Sequence, residues 1–324
     1  MSFNENVQLD TSQVTGGVSS GGGGFGRRSG GGSFPGGIQV GGGIGGIIVL
    51  VLVLIFGGNV LGGSGTTDPG VTHPGGSSPL QPTQVGAGGD QSSARFARCK
   101  TGADANRNDD CLVIATVNSV QAYWAQALPT YGRQYQLANT ILYSGQTRSA
   151  CGTASNQVGP FYCPVDKLVY IDSSFFAELQ QRFGSDGGQL AKEYVVAHEY
   201  GHHIQDILGI LGRAQQDPQG AQSGSVRLEL MADCLAGTWV RHAVETKDAS
   251  GTPFLKPITQ QDITSALSAA SAVGDDRIQK SVQGRATPES WTHGSSAARK
   301  KWFTTGYTSG ALSQCDTFAV QNVE

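Results

Sequence analysis

The sequence predicts an α+β fold: a mainly helical domain with a small sheet, placed after the first third of the chain. Three observations predict it. Of the 48 glycines in 324 residues, 28 fall in the first 90, so that part lacks the side chains of a core. Beyond residue 95, several stretches repeat apolar residues at three- and four-residue spacing, as a helix with one buried face requires. The stretch 161–171 instead collects aromatics, Val and Ile around Pro164-Val165-Asp166-Lys167, which has strand character with a turn.

Residues 1–37 are polar and glycine-rich, and the composition predicts a disordered tail. No charged residue occurs between Arg28 and Asp68. Inside that gap lies a dense apolar run, 44–56, and the weakly polar to apolar stretch 38–61 is long enough for one membrane-spanning helix. A cleaved signal segment is the competing reading. The run starts far from residue 1, however, and no clear Ala-x-Ala site follows it. Arg27 and Arg28 precede the run, and the next basic residue is Arg95. The positive-inside rule then predicts a cytoplasmic amino end and an extracytoplasmic remainder, periplasmic or extracellular. Residues 62–94, rich in Gly, Ser, Pro and Thr, read as a flexible linker.

The folded domain is expected over 95–318, with 319–324 as a tail. In 111–128, Val113, Val117, Val120 and Trp124 share a helical face, and Pro129 ends the helix. The stretch 136–143 is ambiguous. Residues 175–183 read as a short helix stopped by Gly184. Ser185 and Asp186 are candidate caps for a helix over 189–208. A loop over 209–225 leads to a second long helix, 226–245, and further helices are expected over 259–272 and 294–305. If the segment 165–171 lies at a sheet edge, a peptide can add to it as another strand; an ordinary core hairpin is the alternative.

The net charge of −3 gives no electrostatic reason to bind nucleic acid. Six cysteines, all after residue 95, fit three disulfides and an oxidising compartment. Neighbour pairing gives Cys99–Cys111 and Cys151–Cys163 and leaves Cys234–Cys315. Fifteen pairings are possible on paper, and six buried thiols in a reducing compartment are the alternative.

The chemistry concentrates in His198-Glu199-Tyr200-Gly201-His202. On a helix, residues four apart stack on one face, so His198 and His202 can hold one Zn²⁺ with the Glu199 carboxylate beside them. A catalytic zinc takes three protein ligands and keeps one position open. Glu229, 27 residues after His202, is the candidate third ligand. Asp233, one turn later, is placed to accept a hydrogen bond from a ligand histidine, His198 above all. His203 points about 100° away around the helix and reads as a hydrogen-bonded core histidine. His293, in Thr292-His293-Gly294, is a candidate for stabilising a developing oxyanion, against a plain structural cap.

Four segments together carry a resemblance: His198-Glu199-Tyr200-Gly201-His202-His203, Glu229-Leu230-Met231-Ala232-Asp233-Cys234-Leu235-Ala236-Gly237, Thr292-His293-Gly294-Ser295-Ser296 and Gln314-Cys315-Asp316-Thr317-Phe318. They resemble the bacterial putative neutral zinc metallopeptidase family, whose members often carry a glycine-rich amino end and one membrane span. The resemblance implies a zincin-like fold with His198, His202 and Glu229 as zinc ligands. It implies no particular substrate. The expectation is a membrane-anchored zinc endopeptidase acting on protein or peptide substrates, with Glu199 as general base. An anchored module in which zinc only locks two helices together, and a hydrolase of cell-wall peptides, are the alternatives.

Overall fold

The computed structural model describes residues 2–17, 94–155 and 158–324. The expected membrane segment 38–61 and nearly all of the linker lie outside them. Among the described residues no helix is long and apolar enough to cross a membrane. The architecture is α+β. A four-stranded sheet has the order β1-β2-β6-β5, with β1 Val14–Gly16, β2 Thr140–Tyr143, β5 Phe161–Cys163 and β6 Leu168–Asp172. β1, β2 and β6 run parallel, and β5 is antiparallel to β6. β3 Gln146–Ser149 and β4 Gly152–Ser155 form a separate hairpin. The residues after Pro164 do turn the chain back, but β6 is an inner strand. Of the two readings of 165–171, the hairpin holds, and the sheet edge beside it is β5.

The helices supply most of the core. They are α1 Gly102–Ala105, α2 Asp109–Ala127, α3 Phe175–Gln181, α4 Gln189–Leu208, α5 Arg213–Gln216, α6 Gly224–His242, α7 Gln260–Ala272, α8 Asp275–Gln283 and α9 Ser296–Ser309. The central helix α4 packs against α2, α6 and α7, and α6 packs against α9. Its N-cap is Gly188, not Ser185 or Asp186; Asp186 binds the Gly188 N–H at 3.0 Å and the Ser265 hydroxyl at 2.7 Å, tying the helix start to α7. Gly209, at φ 75°, ends α4 by a left-handed turn that a side chain would resist. α6 starts two residues earlier than expected, because Ser223 caps it through the Val226 N–H. Two hydroxyls fix α4 to the sheet: Tyr200 Oη meets Thr140 Oγ1 at 3.0 Å, and Tyr162 Oη donates to Asp206 Oδ2 at 2.8 Å.

Two crossings set the geometry of the site. A Cβ on Gly201 would lie 2.9 Å from the Ala232 Cα, so α4 and α6 touch backbone to backbone there. A Cβ on Gly237 would meet the Phe303 carbonyl oxygen at 2.1 Å, and one on Gly306 the Cys234 carbonyl oxygen at 1.8 Å. Those two glycines let α9 lie directly on α6. The disulfides Cys99–Cys111, Cys151–Cys163 and Cys234–Cys315 all form; the last ties α6 to the carboxy-terminal 3₁₀ turn. In the chain-entropy picture each short loop restricts the unfolded chain by about 3 kcal/mol.

The disordered tail expected over 1–37 does not hold for residues 2–17. Phe3, Val7 and Val14 are fully or almost fully buried in the main core. Asn106 acts as a strand partner for Phe3, accepting its N–H at 2.9 Å and donating to its carbonyl at 3.0 Å. Asn118 does the same for Asp10, at 2.8 and 3.0 Å. The average composition of the first third hides these three apolar anchors, which stand among polar residues.

Candidate metal centre

The α4–α6 crossing at Gly201 and Ala232 has direct consequences for the side chains around it. His198 and His202 lie on either side of Gly201 along α4, while Glu229 and Asp233 flank Ala232 along α6. Ligand atoms of His198, His202 and Glu229 all lie within 4.8 Å of one another, and all three residues are buried. His198 Nε2 is 3.2 Å from Glu229 Oε2, and His202 Nε2 is 3.4 Å from Glu229 Oε1. Three donors converge on one point, and two imidazoles with one carboxylate suit Zn²⁺.

The tautomers follow from the outer contacts. His198 Nδ1 is 2.9 Å from Asp233 Oδ1, and a carboxylate can only accept, so Nδ1 carries the proton. His202 Nδ1 faces Gln205 Oε1 at 2.9 Å. Gln205 is oriented in turn by donation from Nε2 to the Leu228 carbonyl at 2.6 Å. Both Nε2 atoms face Glu229, and with each Nδ1 engaged outward Nε2 is the nitrogen left for a cation. Asp233 is fully buried and gathers further donors. Arg299 holds it bidentately, at 2.9 Å through Nε and 3.0 Å through Nη2, and the Tyr194 hydroxyl also donates to it.

Two ionised carboxylates, Glu229 and Asp233, are matched here by cationic neighbours. Burial opposes ionisation of Glu229, but His293 and His202 outweigh it and hold its carboxyl well below the usual range. Burial also opposes the charge on Asp233, and Arg299 and His198 overcome it. Burial disfavours a charged His198, yet Asp233 and Glu229 push its pKa up to about 10. A proton held between those carboxylates is one that a cation must displace on binding. Burial raises the Glu199 carboxyl, with His198 and His202 opposing.

Glu199 and His293 line the same cavity as the three donors. His293 is not a helix cap, since α9 is capped by Ser295. Its loop wraps around Asp275, whose Oδ2 accepts the backbone N–H groups of Thr292, His293 and Gly294 at 2.8, 2.7 and 3.0 Å. His293 Nδ1 is 2.8 Å from Thr292 Oγ1. His203 stays outside, with Nε2 donating to the Gln136 carbonyl at 2.6 Å and Nδ1 against the Tyr162 hydroxyl. Arg299, Tyr194 and Gln205 were not expected at the site. Gln205 follows His202 by three residues on one helix face, which is a legible signal. Tyr194 precedes His198 by four. Arg299 has no local signal, because only the packing of α9 on α6 brings it to Asp233.

Two histidines and a glutamate beside a second glutamate in one cavity are the donor set of a zinc-dependent hydrolase. The chain matches the family described as putative neutral zinc metallopeptidase over residues 6–318, and it belongs to that family. It is 55% identical to the uncharacterized protein Rv2575 of Mycobacterium tuberculosis over 229 residues, 70% of this chain and 77% of that protein. It is 36% identical to the uncharacterized protein YpfJ of Escherichia coli over 321 residues, 97% of this chain and 96% of that protein. No solved structure matches the chain.

Proposed function

We propose that the chain is a zinc-dependent endopeptidase with a zincin-like active site, His198, His202 and Glu229 holding the metal. The observation that carries this reading is the convergence of those three donors within 4.8 Å in a cavity that Glu199 also lines. Bound zinc supplies Lewis acidity and lowers the pKa of water to about 7. Glu199 takes a proton from the attacking water and passes it to the leaving amine. His293, oriented by Thr292 and Asp275, donates to the charge that develops on the scissile carbonyl oxygen. Asp233 and Arg299 hold His198 in the tautomer that ligation needs.

The experiment is Glu199→Gln in the full chain, with zinc content measured alongside peptide cleavage. The substitution keeps the metal and removes the base, so one zinc per chain with no turnover is expected. Retained turnover in a zinc-loaded variant would rule out the role assigned to Glu199. Activity lost together with zinc would instead mark Glu199 as part of the binding site.

The three disulfides support a working place in an oxidising, extracytoplasmic compartment. Residues 2–17 share one core with 94–324, so on this reading both lie in that compartment. A single crossing at 38–61, which the two arginines favour, would separate them and does not fit this packing.

A further inference from the structure

The cavity at the metal centre has a second half that the chemistry above does not use. Its volume is about 110 Å³, and Phe175, Leu179, Phe183, Val195, Val273 and Ile278 line that half. These side chains come from α3 and the turn after it, from α4, from the end of α7 and from α8. Val195 precedes His198 by three residues, so the apolar wall adjoins the metal ligands on the same helix face. The ionisable side chains that line the cavity are His198, Glu199, His202, Glu229, His293 and Arg299. Arg299 is held by Asp233 and Tyr194, His293 by Thr292, and His198, His202 and Glu229 face one another. None of these groups belongs to the apolar half, so a charged substrate side chain lying there would be flanked by Phe, Leu, Val and Ile side chains.

We propose that this apolar half is the specificity pocket, taking one bulky aliphatic or aromatic side chain from a residue that flanks the scissile bond. The inference rests on the endopeptidase reading and deepens it. Size limits the occupant: the whole cavity, metal half included, is about 110 Å³, below the roughly 150 Å³ of an apolar cavity that accepts benzene, so the apolar half has room for one side chain at most. Chemistry supports the inference, because an unpaired charge buried among these side chains would be desolvated without compensation. The approach is also present. Val158, Gly159 and Pro160 line the cavity and lead directly into β5, the edge strand of the sheet. An extended peptide running beside β5 sends alternate side chains to opposite faces, one of them into the pocket.

The test is cleavage of a mixed peptide library by the zinc-loaded full chain, with product ends read by mass spectrometry. Leu, Phe, Ile and Met should dominate one position next to the cut, with roughly ten-fold or greater preference over Asp and Lys in kcat/KM. Val273→Phe, which fills the pocket, should move the preference towards Ala and Gly. Leu179→Ala, which enlarges it, should favour Phe over Leu. A readout independent of turnover uses the metal-free, methyl-labelled protein: blocked leucine amide should shift the Leu179, Val195, Val273 and Ile278 methyls saturably, and blocked aspartate amide should not. Cleavage without side-chain preference, or methyl shifts equal for both amides, overturns this inference and leaves the endopeptidase reading standing. An uncut library with zinc bound overturns both.

Discussion

Asp233 receives hydrogen bonds from Tyr194, His198 and Arg299, all of them buried and all on other helices. It fixes the tautomer of His198, and it is the acceptor that keeps the Arg299 guanidinium paired in the interior. Asp233→Asn keeps the shape but offers His198 a weaker, neutral acceptor and leaves Arg299 without its counter-charge. Zinc affinity should fall roughly 10- to 100-fold, measured by chelator competition; an unchanged affinity would mean that His198 needs no orienting partner. At this scale much was legible. Glu229 and Asp233 stand one turn apart, and His198 and His202 stand one turn apart, so each pair is visible as a spacing. The contact between the pairs was inferred only from loop length. Arg299 was illegible because its place depends on two glycines in different helices.

At the scale of elements, the site is made by the approach of α4 and α6. Gly201 carries no chemistry of its own within His198-Glu199-Tyr200-Gly201-His202, yet it sets how close the two helices come. Gly201→Ala puts a methyl group 2.9 Å from the Ala232 Cα, and backbone cannot step aside as a side chain can. Such overpacking costs about 1–3 kcal/mol and moves Glu229 away from the histidines. The expected outcome is a lower melting temperature of the metal-free protein and a weaker zinc Kd; a change in stability alone would show that the metal donors do not depend on this crossing. Helices α4, α6, α7 and α9 were legible from apolar periodicity, although the cap candidates Ser185 and Asp186 for α4 were not its N-cap. α8 was missed because its sequence is mostly polar, with Ile278 its single buried apolar residue. β1 was missed because three residues of strand draw their stability from β2, which is far away in sequence.

For the whole molecule, the main surprise is that the chain's first residues belong to the folded domain. Residues 2–17 supply an edge strand, and Phe3 also bridges to Leu255 near the start of α7. Two regions that share a core share a compartment. Single cysteines introduced at the exposed positions Ser12 and Gln260 should therefore react equally with a membrane-impermeant maleimide on intact spheroplasts. Labelling at Gln260 alone would place the amino end across the membrane and show that its packing on the domain is not the cellular arrangement. Charge asymmetry around an apolar run was the signal available in the sequence. It concerns insertion and holds no information about what the amino end packs against.

All of this depends on three side chains sharing one cation. The most direct measurement is metal content by mass spectrometry of the purified full chain beside its His202→Ala and Glu229→Ala variants, each confirmed as folded by circular dichroism. One zinc per wild-type chain, and little or none in either variant, is the predicted result. Full zinc occupancy in a folded Glu229→Ala protein would remove the carboxylate from the site and contradict the account.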